Sequence, residues 1–222
     1  MIGALTGIWS AVRSLSEPFG TVLTLRFNEF PFVDSSSQNH TLTSVNSTMT
    51  SGLYGDAASF PGSNTRIRVE TPITFNGDFI MGGWVKFDAT SSGRKFFVVM
   101  PDGPSWVWWE VDVGGPLGLS LYWGGGYCTS PTPTPIVTDV WYHVLASRVN
   151  GVMYMFLNGD LEATSSSLSM ANTISSKIWF GGGLDGNGFF DSSASLKGLM
   201  DSWQIQLGIG RSTSFTPPAI EV

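Results

Sequence analysis

Alternating polar and apolar positions run along most of the chain and predict β-strands. Residues 21–27 alternate so that Leu23, Leu25 and Phe27 share one face, which we expect to point into a core. The polar stretch 35–55 has few apolar residues, and we expect a surface loop with room for one edge strand. Further strands are predicted at 57–60, 66–69, 79–87, 95–100, 106–113, 117–123, 141–149, 152–157, 160–164, 178–181 and 196–207.

Two Asn-Gly pairs mark consecutive hairpins in the middle of this pattern. Asn150-Gly151 and Asn158-Gly159 each supply two residues that tolerate positive φ, as a type I′ turn requires. Both pairs are flanked by β-branched, aromatic and aliphatic residues. The sequence therefore predicts an all-β protein built on an antiparallel sandwich, with little helix.

Composition narrows the class of protein further. The chain has 222 residues, of which 13% are charged and 42% hydrophobic, with 27 glycines and 12 prolines, as in a single large β domain rich in turns. A net charge of −6 gives the protein no positive electrostatic field that would attract phosphate groups, so we expect no nucleic-acid partner. The single Cys128 cannot form an intramolecular disulfide, so stability must come from packing or assembly.

The first seventeen residues differ from the rest. Their apolar positions recur at helical spacing up to Pro18, no basic side chain precedes them, and the stretch is too short to span a membrane. We predict a short helical or extended segment at 1–17, ahead of a domain at 18–222. It either folds back on its own domain or anchors the protein to a partner. The residues that would form this anchor are Leu5, Ile8, Trp9, Val12 and Leu15.

The order of short motifs along the chain resembles the laminin-G-like jelly rolls of the concanavalin A-like lectin and glucanase superfamily. This resemblance implies an antiparallel two-sheet jelly-roll sandwich. The motifs that carry it are Leu25-Arg26-Phe27-Asn28, Val33-Asp34-Ser35-Ser36, Ala58-Ser59-Phe60, Gly83-Trp84-Val85, Trp141-Tyr142-His143-Val144, Phe156-Leu157-Asn158-Gly159, Ile178-Trp179-Phe180-Gly181 and Leu196-Lys197-Gly198-Leu199-Met200-Asp201.

The two ends of this region are similar to laminin-G-like domains of tailed-bacteriophage virion proteins. The similar segments are 17–40 and 208–218, the latter running from Gly208-Ile209-Gly210-Arg211 to Pro218. The resemblance implies a non-enzymatic structural protein on the virion surface, as a capsid decoration, fibre or spike component. It would attach to other virion proteins through the N-terminal segment and form a homo-oligomer.

A cluster of aromatic residues suggests an alternative, a carbohydrate-binding adhesin that recognises host-surface glycan. Sugars present C–H surfaces that stack on aromatic rings. Strand alternation places Trp108 and Trp109 on opposite faces, so one face is a candidate for a glycan platform or a protein interface. A position at the rim of the core is the commoner explanation for any single tryptophan. The cluster consists of Trp106, Trp108, Trp109, Tyr122, Trp123 and Tyr127.

A third interpretation, a β-glycan hydrolase, is the least favoured. Laminarinase-type relatives carry alternating carboxylates on one strand, and Glu110 and Asp112 alternate in this way. Gly114 stands where the third carboxylate, the general acid, is expected. We therefore predict that the protein is not an enzyme. His143 lies within a predicted strand, where we expect a structural ring hydrogen-bonded to the backbone.

No cofactor is indicated, although the resemblance leaves room for calcium. Many relatives hold this ion near the rim of the sandwich with carboxylate, amide and carbonyl oxygens. Asp185, Asn187 and Asp191 lie in or beside a glycine-rich loop and could supply such oxygens. The competing interpretation, a turn that needs glycine and small polar residues, is the favoured one.

Overall fold

Two antiparallel sheets packed face to face form the protein in the computed structural model. The structure describes residues 20–62, 64–88, 94–101, 107–111, 118–123, 126–166, 174–184, 190–191 and 195–217. The two packed antiparallel sheets confirm the predicted all-β sandwich. The predicted N-terminal segment lies outside the described residues, and the domain boundary at 17 stays a prediction.

Strands occupy most of these ranges, and in chain order they are numbered β1 to β17. Their bounds are β1 (Thr21–Leu25), β2 (Leu42–Val45), β3 (Thr48–Ser51), β4 (Asp56–Pro61), β5 (Arg66–Phe75), β6 (Phe79–Phe87), β7 (Arg94–Pro101), β8 (Val107–Val111), β9 (Leu119–Trp123), β10 (Gly126–Thr129), β11 (Trp141–Val149), β12 (Val152–Leu157), β13 (Asp160–Ser165), β14 (Ile174–Phe180), β15 (Gly183–Leu184), β16 (Phe190–Asp191) and β17 (Lys197–Leu207).

The strands are divided between two large sheets and one short ribbon. The eight-stranded sheet has the order β13-β12-β11-β6-β17-β4-β3, with β1 also paired to β17. The seven-stranded sheet has the order β10-β9-β8-β7-β14-β5-β2, and β15 pairs with β16. Only the backbone is described for β8, β15 and β16 and, apart from Phe96, for β7.

The last strand, β17, organises the eight-stranded sheet. It pairs with β6 along one side, while its first half pairs with β4 and its second half with β1. Its register shifts between Asp201 and Gln204, where Ser202 has φ +54°. Such a bulge inserts an extra residue and turns the strand locally. The bulge places Asp201 on the outer face and Trp203 in the core.

Aromatic rings from both sheets meet in the core. Trp203 of the eight-stranded sheet contacts Phe180 of the opposite sheet, with ring centroids 5.5 Å apart. Farther along the core, Phe79 stacks on Trp123 at 5.0 Å and touches Phe75 at 5.2 Å. Rings of this size bury large apolar areas and make edge-to-face contacts that favour specific positions. These contacts hold the two sheets at one relative position.

The predicted faces and hairpins agree with the structure. Leu23, Leu25 and Phe27 are all buried in the core. Strands β11, β12 and β13 pair antiparallel in succession. Asn150-Gly151 has φ +49° and +84°, and Asn158-Gly159 has φ +53° and +86°, so both pairs adopt the left-handed conformations of a type I′ turn.

Two details differ from the sequence prediction. The polar stretch 35–55 forms two edge strands, β2 on one sheet and β3 on the other, because paired backbone groups can complete a sheet edge without apolar side chains. Strand β10 was missed because it follows a run of glycines. It carries Cys128, whose burial raises the pKa of the thiol to about 11.

Among the described residues, no helix has the length and apolar character needed to cross a membrane.

The two hairpin turns provide a matched pair for a stability test. A Cβ at Gly151 would have open space, whereas a Cβ at Gly159 would lie 1.8 Å from the carbonyl oxygen of Phe215. We predict that Gly151→Ala lowers the free energy of unfolding by about 1–2 kcal/mol, the cost of a left-handed alanine. Gly159→Ala should cost about 1–3 kcal/mol more, because the C-terminal segment must move. Urea unfolding of both variants measures the difference, and equal losses would contradict the prediction.

Candidate functional site

One row of residues crosses the seven-stranded sheet from edge to edge. Residues directly opposite each other in antiparallel strands share a face. Ile178, Phe180, Leu121 and Trp123, the chain neighbours of row members, are buried, so the row lies on the outer face. We call it the aromatic row. Its members, in order from β2 to β10, are Thr43, Arg68, Trp179, Val98, Trp108, Tyr122 and Tyr127.

Two tyrosines form the β10 end of the aromatic row. The rings of Tyr122 and Tyr127 lie 4.9 Å apart between centroids, at an interplanar angle of 70°. Tyr127 is 50% exposed, whereas Tyr122 is half-buried. The register places Trp108 next to Tyr122, on the side away from Tyr127. This end of the sheet thus presents apolar ring surface to solvent.

The other end of the row combines an indole ring with two arginines. The guanidinium carbon of Arg68 lies 5.0 Å from the centroid of the Trp179 ring, and that of Arg66 lies 5.8 Å away. A guanidinium over an aromatic face is attracted by the ring quadrupole. All three side chains are half-buried. The arrangement holds planar hydrogen-bond donors beside a partly open indole.

Glu70 fixes this end of the row electrostatically. Its Oε1 accepts hydrogen bonds from Arg68 Nε at 2.8 Å and Nη2 at 2.6 Å, and its Oε2 accepts one from Lys177 Nζ at 3.1 Å. The Thr43 hydroxyl also donates to Glu70. Burial by itself would raise the pKa of Glu70, but these hydrogen bonds and the charge of Arg68 lower it to about 2. Glu70 therefore stays ionised and keeps Arg68 next to Trp179.

The aromatic row is long enough for an extended ligand. Four strand spacings separate Tyr127 on β10 from Trp179 on β14. At about 4.8 Å per spacing this distance is about 19 Å. A chain-like molecule lying across the strands would contact the rings of both ends. A small compact molecule would contact only one end.

The structure divides the sequence-predicted aromatic cluster. Trp108 lies in the outer row with Tyr122 and Tyr127, whereas Trp109 lies opposite Leu121, a buried core residue. The strand register agrees with the predicted separation of Trp108 and Trp109, which itself stays a prediction. Trp106 lies outside the described residues.

Trp123 does not belong to a surface site. It is 1% exposed and packs against Phe75 and Phe79 in the core. Its indole N–H has no hydrogen-bond partner among the described residues. The prediction that grouped Trp123 with the surface aromatics is corrected for a physical reason. Alternation along β9 forces Tyr122 and Trp123 to opposite faces, and the opposite sheet covers the face of Trp123.

Sequence reasoning missed Trp179 and Arg68 of the aromatic row and the neighbouring side chains of Arg66 and Glu70. The only available signal was the alternation of Arg66, Arg68 and Glu70 along one strand. Nothing in local sequence indicates that β5 and β14 are neighbours. Only the pairing of Trp179 with Arg68 brings the indole and the arginines together.

Several other candidate residues remain predictions. The anchor residues Leu5, Ile8, Trp9, Val12 and Leu15 and the loop residues Asp185 and Asn187 lie outside the described residues, as does Asp112. Asp191 belongs to β16, for which only the backbone is described. Within the described ranges, no three His, Cys, Asp or Glu side chains form a cluster that could hold a metal ion.

Part of the outer face of the eight-stranded sheet is covered by the chain itself. The ring of Phe215, in the C-terminal segment 208–217, packs on His143 at 5.7 Å and on Phe156 at 5.5 Å. The backbone N–H of Arg211 donates to Ser147 Oγ at 2.6 Å, and that of Phe215 donates to the Gly159 carbonyl at 2.9 Å. This cover makes the seven-stranded sheet the better candidate for an open binding face.

His143 is a packed residue under this cover. It is 5% exposed, its ring lies between Trp84 and Phe215, and burial lowers its pKa to about 4. Its Nδ1 has no hydrogen-bond partner among the described residues, so the predicted ring-to-backbone hydrogen bond is not seen at that atom. Its backbone N–H instead donates to Asn158 Oδ1 at 3.0 Å.

The two-sheet sandwich matches a known class of protein. A family model described as the concanavalin A-like lectin/glucanases superfamily, of the laminin G type, matches residues 61–206. The chain belongs to this superfamily. A comparison with curated protein sequences gave no match.

Solved structures share the fold at low sequence identity. Domain 4 of AbnA, a GH43 extracellular arabinanase from Geobacillus stearothermophilus solved with arabinotriose, has a TM-score of 0.70 and 19% identity over 88% of this chain and 96% of that one. A heptameric SAP-like pentraxin from Limulus polyphemus has a TM-score of 0.54 and 20% identity, covering 66% and 73%. The ligand-binding domain of botulinum neurotoxin serotype D, solved with N-acetylneuraminic acid, has a TM-score of 0.54 and 14% identity over 89% of this chain, which spans about half of that domain (48%).

The depressed pKa of His143 predicts a specific pH dependence of stability. The folded state favours the neutral ring, so below a pH of about 6.5 the unfolded chain takes up the proton first. We predict that the free energy of unfolding falls by up to about 3 kcal/mol between pH 6.5 and pH 4 from this residue alone. His143→Phe should remove that part of the pH dependence. Urea unfolding at several pH values measures it, and an unchanged slope in the variant would refute the assignment.

Proposed function

We propose that the protein is a non-catalytic carbohydrate-binding module that holds glycans along the aromatic row. The observation that carries this proposal is the alignment of Trp179, Tyr122 and Tyr127 in one row of the outer face, with Arg68 beside Trp179. Exposed rings on a rigid sheet provide a platform whose geometry does not change when a ligand binds. The face is also not covered by the C-terminal segment.

The chemistry of the row suits sugars. Each sugar ring has an apolar face of C–H groups, which packs on the face of an indole or phenol ring. Its hydroxyl groups need hydrogen-bond partners, and the guanidinium groups of Arg66 and Arg68 provide donors at one end. Because the row extends for about 19 Å, it suits an oligosaccharide better than a single sugar.

The fold comparisons support a binding module over a purely structural protein. The arabinanase domain was solved with arabinotriose, and the neurotoxin domain with N-acetylneuraminic acid. Those ligands belong to the proteins named, and the shared property is the sandwich. The feature of this chain that favours glycan binding is its own aromatic row.

The proposal that the protein is not an enzyme rests on the sequence. The strand register places Glu110 opposite Ser120 on β9 and Lys95 on β7, in the row next to Trp108. Gly114 occupies the position where the glucanase pattern has its third carboxylate. Without that group, the leaving sugar has no proton donor in the pattern.

The location on a virion surface that the sequence predicts is compatible with glycan binding. Residues 17–40 and 208–218 are similar to the ends of laminin-G-like domains in tailed-phage virion proteins. We propose that a glycan-binding sandwich of this kind would be displayed on the particle surface, anchored through residues 1–17. In that setting, the module would bind glycan on the host surface.

Substitutions in the aromatic row test the proposed function. Trp179→Ala and Tyr127→Ala should each weaken glycan binding by about 1–2 kcal/mol, or roughly five- to thirtyfold, because each removes one stacking surface. The half-buried Trp141 lies on the eight-stranded sheet, so Trp141→Ala is the matched control and should leave affinity unchanged. A glycan array selects the ligand, and isothermal titration calorimetry measures each variant.

Two outcomes would contradict the proposal. The first is that the wild-type protein binds no glycan on the array. The second is that Trp141→Ala weakens binding as much as Trp179→Ala does. Trp123→Ala is unsuitable as a test, because loss of a core ring costs about 3–5 kcal/mol of stability and so affects binding through unfolding.

A further inference from the structure

Positive charge is concentrated at the Trp179 end of the aromatic row. The protein as a whole carries a net charge of −6. On the outer face of β5 and β14, the described charged side chains are Arg66, Arg68 and Lys177, opposed by Glu70. Three positive charges and one negative charge leave a local excess of two. A basic patch on an acidic protein attracts anions.

The contacts of these four side chains show where an anion would fit. Glu70 is engaged by Arg68 and Lys177. The guanidinium of Arg66 lies over the same indole ring as that of Arg68, and its Nη1 donates to the neutral amide oxygen of Asn64 at 2.7 Å. Burial lowers the pKa of Arg66, and the positive charge of Arg68 lowers it further. An anion beside both guanidiniums would offset this repulsion.

We propose that the aromatic row selects glycans that carry carboxylate groups. This inference rests on the proposed function and names its ligand class. The carboxylate of an acidic sugar would accept hydrogen bonds from the planar guanidiniums at the Trp179 end, a geometry that permits two parallel bonds. The apolar faces of the following sugars would lie toward Tyr122 and Tyr127. The Trp179 end would thus recognise the charge of the glycan, and the tyrosine end would recognise the shape of its sugar rings.

Matched acidic and neutral polymers test the charge preference. The probes are polygalacturonate and poly-N-acetylneuraminate, each compared with its carboxyl-reduced form, which keeps the backbone and loses the charge. We expect at least one of the two acidic polymers to bind at least tenfold more tightly than its carboxyl-reduced form. Which polymer shows this preference tells whether the protein binds uronic or sialic acids. The preference should shrink as the ionic strength rises.

Arginine variants test which side chains cause the preference for carboxylate-bearing glycans. Arg66→Gln should lower affinity for the acidic polymer about tenfold, the loss of one charged hydrogen bond, and should lower affinity for the reduced polymer much less, because the glutamine amide can still donate to a hydroxyl group. Arg66→Lys keeps the charge without the planar fork and should lose less. Arg26→Gln removes the same charge from an exposed position after β1, on the other sheet, and should have no effect. Circular dichroism confirms that each variant is folded.

The outcomes separate this inference from the proposed function. Equal binding of acidic and reduced polymers, both weakened by Trp179→Ala, would overturn the carboxylate preference and leave carbohydrate binding intact. Tighter binding to sulfated or phosphorylated glycans than to both carboxylate polymers would also overturn it. Failure of every glycan to bind would remove the proposed function itself. An equal loss of affinity for the acidic polymer in Arg26→Gln and Arg66→Gln would show a general effect of charge, and it would overturn the assignment of the carboxylate site to the Trp179 end.

Discussion

Contact between aromatic rings of the two sheets is the constraint on which the rest of the structure depends. Trp203 packs on Phe180, and Phe79 packs on Trp123, so residues of opposite sheets hold each other in place. In a strand, the side chains alternate between faces, and a slip of one residue would turn every core residue outward. The packing therefore determines which face each strand presents. Because Phe180 must point inward, Trp179 must point outward.

The candidate site is a direct consequence of the core. Trp123 is committed to the interior, so Tyr122 next to it faces solvent. The pairing of neighbouring strands then aligns the outward residues of several strands in one row. Glu70 adds the electrostatic part, since its ionised carboxylate holds Arg68 near Trp179. The same alternation that buries the apolar half of each strand creates the platform from the other half.

The two outer faces of the sandwich have different roles. On the eight-stranded sheet, Phe215 and the segment around it cover His143 and Phe156, so that part of the face is an internal packing surface. A surface covered in this way contributes to stability and is closed to a ligand. On the seven-stranded sheet, half-buried Trp179 and exposed Tyr127 mark the face available for binding. This difference explains why the tryptophans and tyrosines of one sheet are functional candidates and those of the other are not.

The sequence by itself determined most of the strands, the hairpins at Asn150 and Asn158, and the opposite faces of Trp108 and Trp109, because alternation and turn chemistry are local properties. It also indicated the superfamily, through the order of short motifs. Only the tertiary structure decided that Trp123 is a core residue and that Trp179 lies beside the arginines of β5. Pairing between strands far apart in the chain follows from how the two sheets pack, and no local pattern encodes it.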